Sequence, residues 1–169
     1  DDIIQNIAER ELDWAVKKFH PIGACIIVMD PKTGDILAMS SRPTYDLNSF
    51  QRAGVENRRN RAVTDTYEPG SIFKIITASA ALEEKKVGLN DKFYCENGAW
   101  SHGGGKVLHD HTPHGWLTFR QVIEKSSNIG TVKVAMKLGG NNLYNYIKRF
   151  GFGDLTDIDM PGEVPGFIR

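Results

Sequence analysis

At 169 residues the chain is long enough for one domain with a substantial core, or for a domain and a piece of another. Lysine plus arginine and aspartate plus glutamate both number 21, so no excess of charge points to nucleic acid or to an anionic membrane surface. There is no apolar run of the roughly eighteen residues that a membrane span needs, and Asp1 and Asp2 are unlike a basic leader, so the chain as it stands is expected to be soluble and without an export signal.

Residues 3 to 19 set Ile3, Ile4, Ile7, Ala8, Leu12, Ala15, Val16 and Phe19 at helical spacing, with Glu9, Arg10, Asp13 and Lys17 between them. This predicts an amphipathic helix packed on a sheet. Gly23 to Met29 is a short β-rich apolar run, Asp30-Pro31-Lys32-Thr33-Gly34 is turn chemistry, and Asp35 to Ser40 is a second run, which together predict an antiparallel hairpin. Residues 42 to 66 show little periodicity and read as a long surface excursion, whose basic cluster Arg58, Arg59 and Arg61 is expected to be solvated or ion-paired. Pro69-Gly70 is a turn, followed by a strongly apolar helix from Ser71 to near Lys86. Residues 88 to 116, rich in Gly, His and Asn, predict an irregular or short-stranded insertion. Thr118-Phe119-Arg120-Gln121 has the form of a capping box, so a helix begins there and runs toward Glu124 or Lys125. A second helical segment, Ile129 to Leu138, is ended by Gly139-Gly140, and a last helix covers Leu143 to Phe150.

Two places could carry chemistry. Ser71 opens a helix, where unpaired backbone N–H groups and the positive end of the helix dipole favour negative charge at its oxygen. Lys74 lies one turn along the same face, and an amine desolvated by apolar neighbours becomes a base toward the hydroxyl. Equally, Ser71 reads as a helix cap and Lys74 as a solvated first-turn residue. Ser126-Ser127-Asn128, between two helices, presents hydroxyls and a carboxamide that can relay a proton or hold a peptide group, or that simply cap the next helix. His109-Asp110-His111 and His114, with His102 nearby, have spacings compatible with a metal, but in a Gly-rich stretch without a further Cys or His framework they read as polar surface loops. Cys25 and Cys95 are too few and too far apart for a zinc or redox motif, and pairing or freedom stays open.

Taken together, Tyr67-Glu68-Pro69-Gly70-Ser71-Ile72-Phe73-Lys74 and the later Ser126-Ser127-Asn128-Ile129-Gly130 resemble the transpeptidase domain of the penicillin-binding proteins, of the monofunctional class B type. The likeness extends over nearly the whole chain. Asp30 to Met39 resembles the first hairpin of that domain, Asn60-Arg61-Ala62-Val63 the approach to the nucleophile, and Phe150-Gly151-Phe152-Gly153 with Pro161-Gly162-Glu163 its later segments.

The resemblance implies an α/β (α+β) fold of the penicillin-recognising serine transpeptidase and β-lactamase type, an antiparallel sheet flanked by helices beside an all-helical part, with the site between them. Residues 1–169 would supply its N-terminal helix, hairpin and most of the helical subdomain. By the same analogy Ser71 is the acylated nucleophile, Lys74 its general base, and Ser126 a proton shuttle. Asn128 and Ser127 would bind substrate, Asn128 would also help to position Lys74, and the Ser71 backbone N–H would supply half of an oxyanion hole. The implied substrate is a D-alanyl-D-alanine stem peptide of peptidoglycan, β-lactams should acylate Ser71 in its place, and neither metal nor cofactor is called for. A serine β-lactamase and a penicillin-sensing, non-catalytic binding domain are the competing readings.

One motif departs from the pattern. The family's Lys-[Ser/Thr]-Gly lies on a strand after the Ser-x-Asn step, whereas Lys32-Thr33-Gly34 precedes Ser71 and falls in the predicted hairpin turn, to which it is assigned. The chain is therefore expected to be part of a longer enzyme, inactive alone unless the missing strands come from another chain. The resemblance further implies a parent held outside the cytoplasmic membrane by an N-terminal transmembrane anchor, and working with glycosyltransferase and division or elongation machinery.

Overall fold

The computed structural model describes residues 1–103 and 105–168, which form two compact units: Asp1–Thr66 with Asp157–Val164, and Tyr67–Thr156 with the stretch from Pro165 on. Among the described residues no helix is long and apolar enough to cross a membrane.

In the first unit, α1 (Asp2–Phe19) starts where the Asp1 carboxylate accepts from the Ile4 N–H and ends at His20 in a left-handed cap. It buries Ala8 and Leu12 and packs on the antiparallel hairpin of β1 (Ala24–Met29) and β2 (Ile36–Arg42), in which Ala24 faces Arg42 and Ile27 faces Met39. The Gln5 carboxamide treats Met39 as a strand neighbour would, donating to its carbonyl at 3.0 Å and accepting from its N–H at 2.9 Å. Arg42 reaches back to Asp13 on α1 at 2.6 Å.

The hairpin turn is closed by the Asp30 N–H on the Asp35 carbonyl and the Gly34 N–H on the Asp30 carbonyl, so Lys32-Thr33-Gly34 is turn, as expected. After β2 the chain is more ordered than its weak periodicity suggested: two 3-10 turns, Leu47–Arg52 and Val55–Arg58, lead to the short α2 (Arg61–Thr64). The caps of the first turn and of α2, Asp46 accepting from the Asn48 N–H and Asn60 from the Ala62 N–H, need no apolar stripe, which is why spacing does not reveal them. Two members of the basic cluster are ion-paired and Arg58 is exposed. Arg59 and Arg61 converge on Asp65, and Glu56 takes Arg59 at 3.0 Å.

The second unit is built around α3 (Lys74–Glu83), entered through the 3-10 turn Gly70–Phe73. Its flanks serve two cores. Ala81 belongs to one with Val87, Phe93, Cys95, Leu117, Phe119, Val122, Ile129 and Val134; Ile76 and Ala80 belong to another with Leu138, Tyr146 and Ile147. The small residues at 80 and 81, both fully buried, let neighbouring elements pack close on two sides of α3.

The Gly- and His-rich insertion forms two short antiparallel ribbons. β3 (Lys92–Tyr94) pairs with β6 (Trp116–Thr118), and β4 (Ala99–Ser101) pairs with β5 (Val107–His109). α4 (Phe119–Glu124) begins at Thr118 with both halves of the predicted capping box made. α5 (Asn128–Leu138) follows, and α6 (Gly140–Arg149) starts three residues before its apolar pattern does. There Gly139 ends one helix and opens the next, its carbonyl taking the Leu143 N–H at 3.0 Å.

Cys25 and Cys95 are both free, the first exposed in one unit and the second buried in the other.

Candidate active site

Two adjoining turns of the second unit bring the motif residues together. The first precedes α3. Gly70 has φ +60, a left-handed conformation that a residue with a side chain adopts only at a cost, and nothing crowds its absent Cβ. Its glycine is thus required by backbone direction, not by space. Ser71 comes next, solvent-exposed, and among the described residues nothing hydrogen-bonds its hydroxyl. No side chain caps this turn at Pro69, so its leading N–H groups lack the usual partner.

The second turn joins α4 to α5. Ser126 there has φ +52, left-handed although it is not glycine, at a cost of roughly 1–2 kcal/mol. The return is its orientation: both its carbonyl and its hydroxyl face Lys74, whose amine donates to the carbonyl at 2.6 Å and to the hydroxyl oxygen at 2.9 Å. Lys74 is half-buried. Burial pushes its amine below the ordinary lysine range, against the opposing pull of the Asp110 carboxylate.

The expected direct meeting of Ser71 and Lys74 is therefore not a hydrogen bond in this structure; the amine turns to Ser126 instead. A carbonyl and a hydroxyl held side by side offer it two acceptors at once, whereas Ser71, one helical turn away, offers one.

Asn128 lies at the head of α5 and donates through its carboxamide nitrogen to the His109 carbonyl at 2.8 Å. It shares the turn with Ser126, and the amine is held by Ser126 and not by Asn128.

The expectation for Ser127 as a substrate contact is corrected. It is 1% exposed, its hydroxyl accepts the Gly130 N–H at 2.9 Å and donates to the Asp110 carboxylate at 2.6 Å, and its carbonyl takes the Thr131 hydroxyl. A ligand could reach it only by undoing the helix cap, so Ser127 is frame.

Asp110 is the residue that sequence reasoning missed. One carboxylate oxygen accepts from Ser127 and the other from the Ile129 N–H at 3.0 Å. Its neighbours had drawn attention only as metal candidates, and among the described residues no group of three His, Cys, Asp or Glu side chains is arranged to hold a metal ion. The one available signal was an acid placed ahead of a serine that must be buried, which spacing alone does not rank.

Close approach of α4 and α5 depends on Gly130. A Cβ there would sit 2.7 Å from a methyl of Val122 and 3.1 Å from the Ser127 hydroxyl. Glycine lets the two helices meet and leaves the cap intact.

Comparison with known proteins places the chain in a family. Residues 24–169 match the family described as the penicillin binding protein transpeptidase domain. Stage V sporulation protein D of Bacillus subtilis is 46% identical over 171 residues, covering 99% of this chain and 26% of that protein. The probable peptidoglycan D,D-transpeptidase PenA of Neisseria gonorrhoeae is 36% identical over 169 residues, covering all of this chain and 29% of that protein. Among solved structures, penicillin binding protein 3 of Mycobacterium tuberculosis in complex with aztreonam superposes with a TM-score of 0.90 at 31% identity, over all of this chain and 38% of that one. The chain thus spans less than a third of the length of these two curated relatives.

Proposed function

This chain belongs to the transpeptidase domain family of the class B penicillin-binding proteins, and from that premise we propose that it carries the acylating residues of a peptidoglycan D,D-transpeptidase. The observation that bears most weight is the grip of Ser126 on the Lys74 amine. A neutral amine has two N–H donors and one lone pair. With both donors directed to the carbonyl and hydroxyl oxygens of Ser126, the lone pair is left for the Ser71 hydroxyl.

In this reading the Ser71 oxygen attacks the carbonyl of the penultimate D-alanine of a stem peptide, and its proton passes to Lys74. The tetrahedral oxyanion is stabilised in part by the Ser71 N–H, one of the first-turn donors that no side chain caps. As the peptide C–N bond breaks, the departing D-alanine nitrogen takes a proton from Lys74 through the Ser126 hydroxyl, leaving an ester on Ser71. The amine of a second stem peptide then attacks the ester carbonyl, the C–O bond breaks, and Ser71 recovers a proton. Asn128, at the same turn, is the residue proposed to orient the peptide group.

Such an enzyme works on the cell wall, hence outside the cytoplasmic membrane. We place the chain within a longer, membrane-anchored protein that acts with glycan-polymerising, division or elongation machinery. A β-lactam, whose strained amide enters the same attack, should remain on Ser71 as a long-lived ester.

Intact-mass measurement of the full-length protein after incubation with benzylpenicillin tests this. The expected result is one adduct, lost in Ser71→Ala with folding unchanged. An adduct that persists in Ser71→Ala would move the nucleophile elsewhere, and one hydrolysed within seconds would favour a β-lactamase.

A further inference from the structure

We propose that Asp110 is a positioning residue for this site: its carboxylate clamps the first turn of α5 at Ser127 and Ile129 and so holds Ser126 where it receives the Lys74 amine. The inference rests on the acylation role proposed above for Ser71 and Lys74.

Ser126 needs an external restraint. It is exposed, left-handed, and bonded through its own N–H only to the Ile123 carbonyl at 3.1 Å. The next residue supplies that restraint. The Ser127 N–H is tied to the Val122 carbonyl at 3.0 Å, and its hydroxyl already caps α5 through Gly130.

A cap needs no more than this, yet Asp110 adds two charge-assisted bonds, one to the Ser127 hydroxyl and one to the Ile129 N–H. Asp110 is itself fixed, its N–H on the Gly98 carbonyl at 3.1 Å, while the adjacent His109 carbonyl takes the Asn128 carboxamide. Residues 109 and 110 thus grip 127, 128 and 129 in turn. Ser126, immediately before them, inherits its direction.

The same carboxylate is the charged group whose field reaches the Lys74 amine. The turn before α5 faces that amine with the uncharged carbonyl and hydroxyl of Ser126. The other elements packed on α3 have their charges engaged elsewhere or in solvent. On α5, Lys133 pairs with Glu96 and Lys137 with Asp91; on α6, Lys148 pairs with Asp154 and Arg149 lies over Tyr146; on α4, Arg120 and Glu124 are exposed. A negative charge favours the ammonium form, so its removal should let Lys74 lose its proton at lower pH. A purely structural brace would leave that titration where it is.

The test uses Asp110→Asn, near in shape and still able to accept from Ile129, beside Ser127→Ala, which keeps the charge but loses the hydroxyl's bonds to Asp110 and to the Gly130 N–H. In the full-length protein, benzylpenicillin acylation is followed against pH. Separately, the Lys74 side-chain carbon resonance of the same full-length protein is titrated by NMR. Asp110→Asn should lower the plateau acylation rate at least about tenfold, and should move both the acid limb and the Lys74 titration to lower pH. Ser127→Ala should lower the plateau without moving the titration.

A plateau for Asp110→Asn within twofold of the parent overturns the proposal. So does a lowered plateau with the Lys74 titration unmoved, which would make Asp110 a stability residue only. A parent that is not acylated at all fails the functional reading instead, and the Lys74 titration then still decides whether Asp110 acts on the amine.

Discussion

Ser126 concentrates the chemistry in one backbone angle. Its left-handed φ turns a carbonyl and a hydroxyl toward the same amine, and substitution can separate the two groups. Replacing it with alanine or with glycine removes the hydroxyl in both cases and leaves the carbonyl. Both variants should therefore lose acylation by about two orders of magnitude, the usual contribution of a positioned proton-transfer group. Only glycine relieves the left-handed strain, so Ser126→Gly should be more stable than Ser126→Ala by about 1 kcal/mol in urea titration. Equal stability would mean that the turn imposes no strain. The residue types at 71, 74, 126 and 128 were readable because each stands beside a turn or cap that local chemistry announces. Neither the orientation of Lys74 toward Ser126 nor the role of Asp110 was readable, since both depend on segments far apart in sequence that meet only in the fold.

At the level of elements, the α4–α5 junction is governed by closeness. Gly130→Ala would press a methyl group against Val122 and the Ser127 hydroxyl, so the helices must separate or the cap must shift. A destabilisation of about 1–3 kcal/mol is expected, with loss of acylation beyond what stability alone explains, measured by thermal unfolding alongside benzylpenicillin labelling. An unchanged melting temperature would show that the junction can open freely. Helix starts were legible where a side chain makes them, as Thr118 and Gln121 do. They were misjudged where backbone alone makes them: α6 begins at Gly140, ahead of Leu143, because the Gly139 carbonyl and not an apolar stripe starts it. The ribbons β3–β6 and β4–β5 are too short to show a period, so composition predicted their irregularity and nothing predicted their pairing.

On the scale of the molecule, the two units hold different parts of the sequence pattern. The residues read as chemical lie in the second, and the lone Lys-Thr-Gly lies in the hairpin turn of the first. Lys32→Ala should accordingly leave the acylation rate of the full-length protein within about twofold of the parent, as is usual for surface changes away from a site. A large loss would mean that this lysine reaches substrate. The mixed helix-and-strand class was legible from alternating periods of 3.6 and 2, and family membership from the motifs and their flanks. The division into units was not, because the segment 157–164 returns to the first unit through contacts far apart in sequence, such as the Val164 N–H on the Val63 carbonyl at 3.0 Å and the Asn60 carboxamide on the Met160 sulfur.

The Gln5 carboxamide carries a consequence for how this small sheet can grow. By occupying both polar groups of Met39 it seals the outer margin of β2, much as a bolt seals one leaf of a double door. Among the described residues β1 is paired on a single side, so its free edge is the one left open to a further strand, and a glutamine on a helix has chosen which margin that is.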